Sequence, residues 1–121
     1  MPLRGIQEEL PARRVANTSK VSIGGQTVYF TISNYPDGRP AEVFIHAARI
    51  GTFTRGILDA VGLLIAKSLQ FGMPVDEIIK SFRYMNFEPN GIVTGDGEIE
   101  TASSILDYLA QRFQLDYKND H

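Results

Sequence analysis

The alternation of apolar and polar residues between positions 20 and 48 constrains the fold more than any other feature of this chain. Three runs with period-two alternation are separated by two turn signals, Gly24-Gly25 and the Pro-Asp-Gly of 36–38. Two glycines are typical of a tight hairpin, and Pro-Asp-Gly combines a preset φ with a residue that accepts positive φ. The segment therefore predicts a three-stranded antiparallel meander with one apolar face, which other elements must cover.

Helical periodicity follows and predicts the elements that cover this face. Apolar residues recur at helical spacing from 55 to 71, with Thr54 as the N-cap and Gly72 as the residue after the helix. Pro74 suits the first turn of a second helix, and Thr101 can cap a last helix. The inward positions predicted for the three helices are Ile57, Val61, Leu64, Ile65 and Leu69; Ile78, Ile79 and Phe82; and Ile105, Leu109 and Phe113.

These patterns predict an α+β fold, with a small antiparallel sheet of three to four strands covered on one face by about three helices. Ile92-Val93 is the candidate for the fourth strand. The length of 121 residues fits one domain. We expect an extended lead-in over 1–19, the domain over 20–117 and a frayed tail over 118–121.

Composition excludes several kinds of chemistry. The chain has no cysteine, which rules out disulfides, thiolate metal sites and a thiol nucleophile. His46 and His121 are far apart in sequence, and no metal site is expected. A formal net charge of −2 argues against DNA as a partner, because a nucleic-acid footprint needs a strongly basic face.

No apolar run reaches the roughly 20 residues that cross a bilayer, so no membrane is expected as a partner. The first 14 residues carry charges of both signs and no apolar core, unlike a secretion signal. We therefore expect the cytoplasm.

Two loops carry candidate binding residues. Thr52, Thr54 and Arg55 enter the longest predicted helix, where free N–H groups and the helix dipole favour an anion; plain helix capping is the alternative. Phe87, Glu88 and Asn90 could stack on a nucleobase and form hydrogen bonds with it. In the alternative, Phe87 fills the core while Pro-Asn-Gly forms a turn.

For several other polar residues, a structural role is an alternative to a functional role. Arg13 and Arg14, together with Lys20, could clamp an anion or contact a partner, or they are merely solvated. His46 is interpreted as a hydrogen-bonded sheet residue and not a general base, since no second catalytic group lies at a suitable spacing. The acidic stretch of Asp96, Glu98 and Glu100 lacks the glycine and bidentate glutamate positions of a calcium loop, which favours a solvated loop.

Six motifs taken in order resemble the TSCPD domain found in the C-terminal part of adenosylcobalamin-dependent (class II) ribonucleotide reductases. The resemblance runs from about Leu10 to Tyr117. The motifs are Leu10-Pro11-x-Arg13-Arg14, Ile23-Gly24-Gly25, Tyr35-x-Asp37-Gly38-Arg39-Pro40-x-Glu42-x-Phe44-Ile45, Leu69-Gln70-Phe71-Gly72-x-Pro74, Phe87-Glu88-Pro89-Asn90-Gly91 and Ser104-Ile105-Leu106-Asp107-Tyr108.

The resemblance implies a link to ribonucleotide reduction and deoxynucleotide supply for DNA synthesis. Reductases of this class form a thiyl radical on a cysteine, draw electrons from a cysteine pair and hold cobalamin in a large barrel. This chain has neither the sulfur nor the length, so no catalytic residue is assigned and adenosylcobalamin is expected only in a partner reductase. The family commonly has a basic residue where Asn86 stands here, a departure that weakens any phosphate role for the segment.

Two functional hypotheses follow. In the first, the chain is a stand-alone module that assists a separate ribonucleoside-diphosphate reductase chain as an accessory or nucleotide-sensing part and is inactive alone. In the second, it binds or sequesters a nucleotide or cyclic nucleotide as a homo-oligomer. An orphaned structural remnant without a ligand is a third alternative.

Overall fold

A computed structural model describes residues 5–117, which form five strands and three helices. The strands lie in the order β3-β2-β1-β4-β5. The α+β prediction is confirmed, with five strands in place of three to four. The predicted tail, 118–121, lies outside the described residues. The elements are β1 (Ala16–Ile23), β2 (Gln26–Asn34), β3 (Pro40–Ala47), α1 (Thr52–Gln70), α2 (Val75–Phe82), β4 (Gly91–Thr94), β5 (Thr101–Ala102) and α3 (Ile105–Asp116).

The predicted meander is present, and its turns have the expected backbone conformations. Gly24 and Gly25 have φ values of 56° and 88°, as a tight hairpin requires. Gly38 has a φ of 95° and donates its N–H to the Tyr35 carbonyl. Strand β1 begins at Ala16, earlier than the alternation indicated. After Ala16 its first residues, 17–20, are polar and mostly exposed, so they carry no apolar pattern.

The chain divides into two compact units. Among the described residues, one contains 5–19 and 29–74, and the other contains 20–28 and 75–117. In the first unit, α1 packs on β3. A Cβ built on Gly62 would lie 2.7 Å from the carbonyl oxygen of Val43, so the helix backbone lies directly against this strand. Glycine is required at this close approach.

The face of α1 that lies on the sheet differs from the prediction. The buried positions are Leu58, Gly62, Ile65, Ala66, Leu69 and Gln70. Ile57 and Leu64, which we predicted to point inward, are exposed. The predicted N-cap is also wrong, because Gly51 caps the helix and Thr54 lies within its first turn. Ten of the eleven residues from 56 to 66 are apolar, so periodicity alone could not select the face that lies on the strand.

In the second unit, α2 packs on α3, and β4 pairs with β5. Ile78 and Ile79 are buried, and the predicted stripe of α3 is fully buried. Thr101 lies in β5 opposite Ile92 and does not cap α3. The cap is Ser104, whose Oγ accepts a hydrogen bond from the Asp107 N–H at 2.9 Å.

Among the helices of residues 5–117, none combines the length and apolar character needed to cross a membrane.

Candidate functional site

The second unit contains an open polar cleft of about 530 Å³ between two loops. One loop is the Gly24-Gly25 turn and the other contains the Glu88-Pro89 peptide, which is cis. The Gly24 N–H donates to the Ile92 carbonyl at 3.0 Å, which holds the loops together. Two motifs far apart in sequence thus meet at one place. The cleft is lined by Gly24, Gly25, Gln26, Glu88, Pro89 and Asn90.

Only glycine fits at position 24. A Cβ there would lie 2.1 Å from the Asn90 carbonyl oxygen, far inside contact distance. Gly24 also has a positive φ, which disfavours other residues even without a neighbour. The neighbouring Gly25 has positive φ but open space around it. The Gly24-Gly25 side of the cleft is therefore lined by backbone atoms, and the other lining residues carry side chains.

The side chains that line the cleft offer hydrogen-bonding groups with one negative charge. Glu88 is exposed, and the Asn90 amide donates to the Asn86 Oδ1 at 3.0 Å. Phe87 is also exposed and does not fill the core, while its N–H donates to the Ser103 carbonyl at 3.0 Å. A carboxylate and amides suit a ligand with hydroxyl or amino donors better than a phosphate. The role of these residues in ligand binding stays a prediction.

The loop that leads to the cleft is anchored by Asp107, which is buried at the start of α3. Its Oδ1 accepts from Arg83 Nη1 at 2.6 Å and from the Tyr84 N–H at 2.7 Å. Its Oδ2 accepts from the Ser103 N–H at 2.8 Å and from Gln111 Nε2 at 3.1 Å. Burial by itself would raise the pKa of Asp107, but these hydrogen bonds and the Arg83 charge outweigh it and lower the pKa.

A second buried acid, Asp96, is held in the same way. Its Oδ2 accepts from the Tyr108 hydroxyl at 2.5 Å, and Arg112 Nη1 lies 3.0 Å from the same atom. Burial opposes ionisation here too, yet the hydrogen bonds from Tyr108, Glu98 N–H and Ile99 N–H lower the pKa of Asp96. Burial and the hydrogen bond to Asp96 raise the pKa of Tyr108. The prediction of a solvated loop is therefore wrong at Asp96, whose charge anchors the loop to α3.

The other predicted residues lie in the first unit. Thr52, Thr54 and Arg55 are exposed in the first turn of α1, which contains no acidic side chain. Arg14 forms an ion pair with Glu42 at 2.8 Å, while Arg13 is exposed. Arg14 therefore anchors the lead-in to β3, and Arg13 and the α1 turn remain candidates for binding.

His46 is exposed on β3, with its ring centroid 6.1 Å from that of Tyr29. Within residues 5–117, no group of three or more histidine or acidic side chains is arranged to hold a metal ion.

Sequence reasoning missed the contributions of Gly24, Gln26 and Asp107. The Gly24-Gly25 pair signals a hairpin, but no local pattern says that the Glu88-Pro89 loop packs on it. Asp107 did leave a signal, because Ser104-x-x-Asp107 has the spacing of a helix-capping box with an acidic third residue.

The fold and the cleft define a small α+β module whose buried carboxylates hold loops in place and whose open cleft could accept a ligand. The chain belongs to the TSCPD domain family, whose sequence profile matches residues 4–117.

Its relatives are long enzymes. It is 36% identical to a vitamin B12-dependent ribonucleotide reductase of Agrobacterium fabrum over 115 residues, which cover 95% of this chain and 9% of the reductase. A reductase of the same name from Rhodopirellula baltica is 39% identical over 105 residues, 87% of this chain and 10% of that protein. The chain is 34% identical to a vitamin B12-dependent ribonucleotide reductase of Streptantibioticus cattleyicolor, and the match covers 94% of this chain and 19% of that reductase. The chain thus spans between about a tenth and a fifth of the length of these relatives. No solved structure matches it.

Proposed function

We propose that this chain is a non-catalytic module of a vitamin B12-dependent ribonucleotide reductase, acting in the cytoplasm as an accessory part of deoxynucleotide supply. One observation carries the proposal: 95% of a chain without cysteine matches only 9% of a reductase. The rest of the reductase then supplies the radical chemistry, and this module assists it.

The residues of the module support a structural or binding role. Reduction by this class of enzyme requires a reactive thiol, and the chain encodes none. Its two buried carboxylates, Asp96 and Asp107, have lowered pKa values and several donors each, so they are poor candidates for proton transfer. They serve as ionised anchors for loops.

The cofactor named in the relatives does not fit the cavities described in this chain. The cleft measures about 530 Å³, and a groove between α1 and β3 measures about 400 Å³. Both have the size of small-ligand sites and are too small to enclose a corrinoid with its nucleotide tail. We therefore assign adenosylcobalamin to the body of the reductase and derive no step through it here.

Complementation in trans tests the proposal. The Agrobacterium fabrum reductase would be shortened by the segment that matches this chain, and reduction of a ribonucleotide would be measured with and without the added chain. We expect no activity from the chain alone and recovery of activity, with measurable binding, when it is added to the shortened enzyme. The full-length reductase is the control, because its own segment should exclude the added chain. Failure to bind or to stimulate the shortened enzyme contradicts the proposal.

A second candidate function is nucleotide binding, either for sensing or for sequestration of a nucleotide or cyclic nucleotide. The cleft favours recognition of the nucleoside part, since Glu88 and Asn90 border one concave site, and Phe87, which precedes Glu88 in the chain, is exposed. A carboxylate accepts hydrogen bonds from ribose hydroxyls or from base amino groups, and an aromatic ring stacks on a base.

Thermal shift and calorimetry with a panel of nucleotides and cyclic nucleotides test this second function. A ligand at a hundred times its Kd should stabilise the fold by about 2.7 kcal/mol. We expect the shift to disappear in Glu88→Gln and to persist in Glu100→Gln, which changes an exposed acid outside the cleft. A shift that is lost only in Arg55→Ala would assign the ligand to the start of α1. No shift with any member of the panel contradicts this function.

A further inference from the structure

Helix α1 has an apolar face directed away from the sheet. Its residues Phe53, Ile57, Leu63 and Leu64 are 81%, 48%, 58% and 66% exposed. Its opposite face is already buried on β3. Only Arg55, Asp59 and Lys67 carry a charge among its 19 residues. A soluble helix that packs on one face usually presents polar residues on the opposite face, so an apolar outward face is suited to a further contact.

The outward residues have the spacing of a helix–helix seam. Phe53, Ile57, Ala60 and Leu64 follow one another at intervals of four, three and four residues. This is the spacing that aligns one edge of a helix with a second helix. Since each residue turns the helix by about 100°, Arg55 and Asp59 project away from the seam, whereas Lys67 lies at its edge, three residues beyond Leu64. The occupant that matches this pattern is another helix with an apolar edge.

The seam is complementary to itself. We propose that α1 pairs with α1 of a second copy of this chain in antiparallel orientation, with the twofold axis close to Ala60. Ile57 then lies opposite Leu64 of the second copy, and the contact occurs twice. Antiparallel pairing also places the opposite ends of the two helix dipoles together.

Gly56 supports the choice of a second copy. Glycine destabilises a helix interior, and it is usually retained where another group approaches closely. Gly62 has such a neighbour within the chain, the Val43 carbonyl, whereas a Cβ on Gly56 would meet nothing within 4 Å. In the antiparallel pair, Leu63 of the second copy lies opposite Gly56 on the same edge of the seam. The missing side chain provides the space into which this leucine packs.

The area is sufficient for a small interface. The four exposed side chains present roughly 400–500 Å² per copy, which lies in the range of patches that mark interaction sites. Both copies together, with Ala60, Val61 and the stem of Lys67 at the margins, approach the roughly 1,200 Å² of a stable interface. The proposal is independent of the proposed function, since it concerns the outer face of α1 and not the cleft.

Sedimentation velocity over a range of protein concentrations tests the pairing. We expect a dimer whose dissociation constant increases at least tenfold in Leu64→Lys. The matched control is Leu115→Lys, the same change at a half-exposed position of α3, and it should leave the dimer unchanged. Circular dichroism would verify that both variants are folded. A wild-type chain that stays monomeric, or a dimer that Leu64→Lys does not weaken, overturns the proposal.

A second variant separates packing at the seam from helix stability. Gly56→Leu should raise the melting temperature of the dilute chain, because leucine favours a helix, and should still weaken the dimer at least tenfold by filling the space for Leu63. An unchanged dimer in this variant contradicts the assigned register.

Cross-linking gives the orientation. The chain contains no cysteine, so one engineered thiol reports one contact. Ala60→Cys should form a disulfide-linked dimer on mild oxidation much faster than Gln114→Cys, an exposed position on α3. Equal rates overturn the twofold axis at Ala60. Binding to a reductase that is lost in Leu64→Lys, from a chain that is monomeric alone, would assign the face to the reductase and overturn self-pairing.

Discussion

The carboxylate of Asp107 accepts a hydrogen bond at 2.7 Å from the backbone N–H of Tyr84, a residue whose φ is 70°. A non-glycine residue in this left-handed region costs about 1–2 kcal/mol. The buried charge therefore holds a strained loop in place, and the loop continues to Phe87 and the polar cleft. Stability and the shape of the candidate site depend on the same side chain.

Asp107→Asn should lower the free energy of unfolding by about 3 kcal/mol. The amide keeps one acceptor but presents an NH₂ group to the donors around Oδ2, and it leaves Arg83 without its buried anion. Urea unfolding followed by circular dichroism measures the loss. Asp116→Asn is the matched control, because Asp116 pairs with Arg112 at the surface and should cost less than about 1 kcal/mol. An equal loss of unfolding free energy in the two variants would mean that the burial of Asp107 does not add to its contribution to stability.

Stability should fall as the pH is lowered through the acidic range. Asp96 and Asp107 have lower pKa values in the folded chain than the roughly 3.9 of an unfolded aspartate. At a pH between the folded and the unfolded pKa of these aspartates, the unfolded chain binds more protons than the folded chain. The contribution of Asp96 and Asp107 to the free energy of unfolding is therefore complete above about pH 5, and it is lost as acid protonates the folded carboxylates. Urea unfolding at a series of pH values should show a decline that is shallower in Asp107→Asn. Identical pH profiles would contradict the assignment to this residue.

Gly24→Ala should be much more harmful than Gly25→Ala. Both glycines have positive φ, so both variants pay a similar backbone strain of about 1–2 kcal/mol. Only at position 24 does the added methyl also meet the Asn90 carbonyl, 2.1 Å away. We expect a loss of about 3 kcal/mol or more for Gly24→Ala, and the difference between the two variants measures the close approach of the loops. Equal melting temperatures would show that the loops can separate without cost.

Two glycines of α1 should respond to alanine in opposite directions. Gly62→Ala places a methyl group 2.7 Å from the Val43 carbonyl oxygen and should destabilise the chain by about 1–3 kcal/mol. Gly56→Ala meets no neighbour within 4 Å and should stabilise the dilute chain by about 0.5–1 kcal/mol through helix propensity. Denaturant midpoints of the two variants provide the comparison. A gain in stability for Gly62→Ala would contradict the tight packing of α1 on β3.

The meander and its turns could be predicted because their signals are local. Alternation with period two identifies the inward face of β2, and the glycines at 24 and 25 require no distant neighbour to form a hairpin. The same reasoning could not find β5. Its two residues are too short for any period, and they become a strand only by pairing with β4.

The candidate site was predictable in part. The segment from Phe87 to Asn90 stood out because an aromatic ring, a carboxylate and a rigid turn occur together. Its partner across the cleft could not be found, since the Gly24-Gly25 turn is far away in sequence and carries only a hairpin signal. A site assembled from two loops depends on the way that the strands bring those loops together.

The sequence by itself determined the secondary-structure class, the main turns, the absence of thiol chemistry and the family, because each of these depends on residue identity or local spacing. Only the tertiary structure decided which face of α1 lies on the sheet, which acids are buried and which loops form the cleft. Those outcomes depend on close approaches such as that of Gly62 to Val43 and on charge pairs such as that of Asp107 with Arg83. Such contacts join residues whose separation along the chain contains no information about their distance in space.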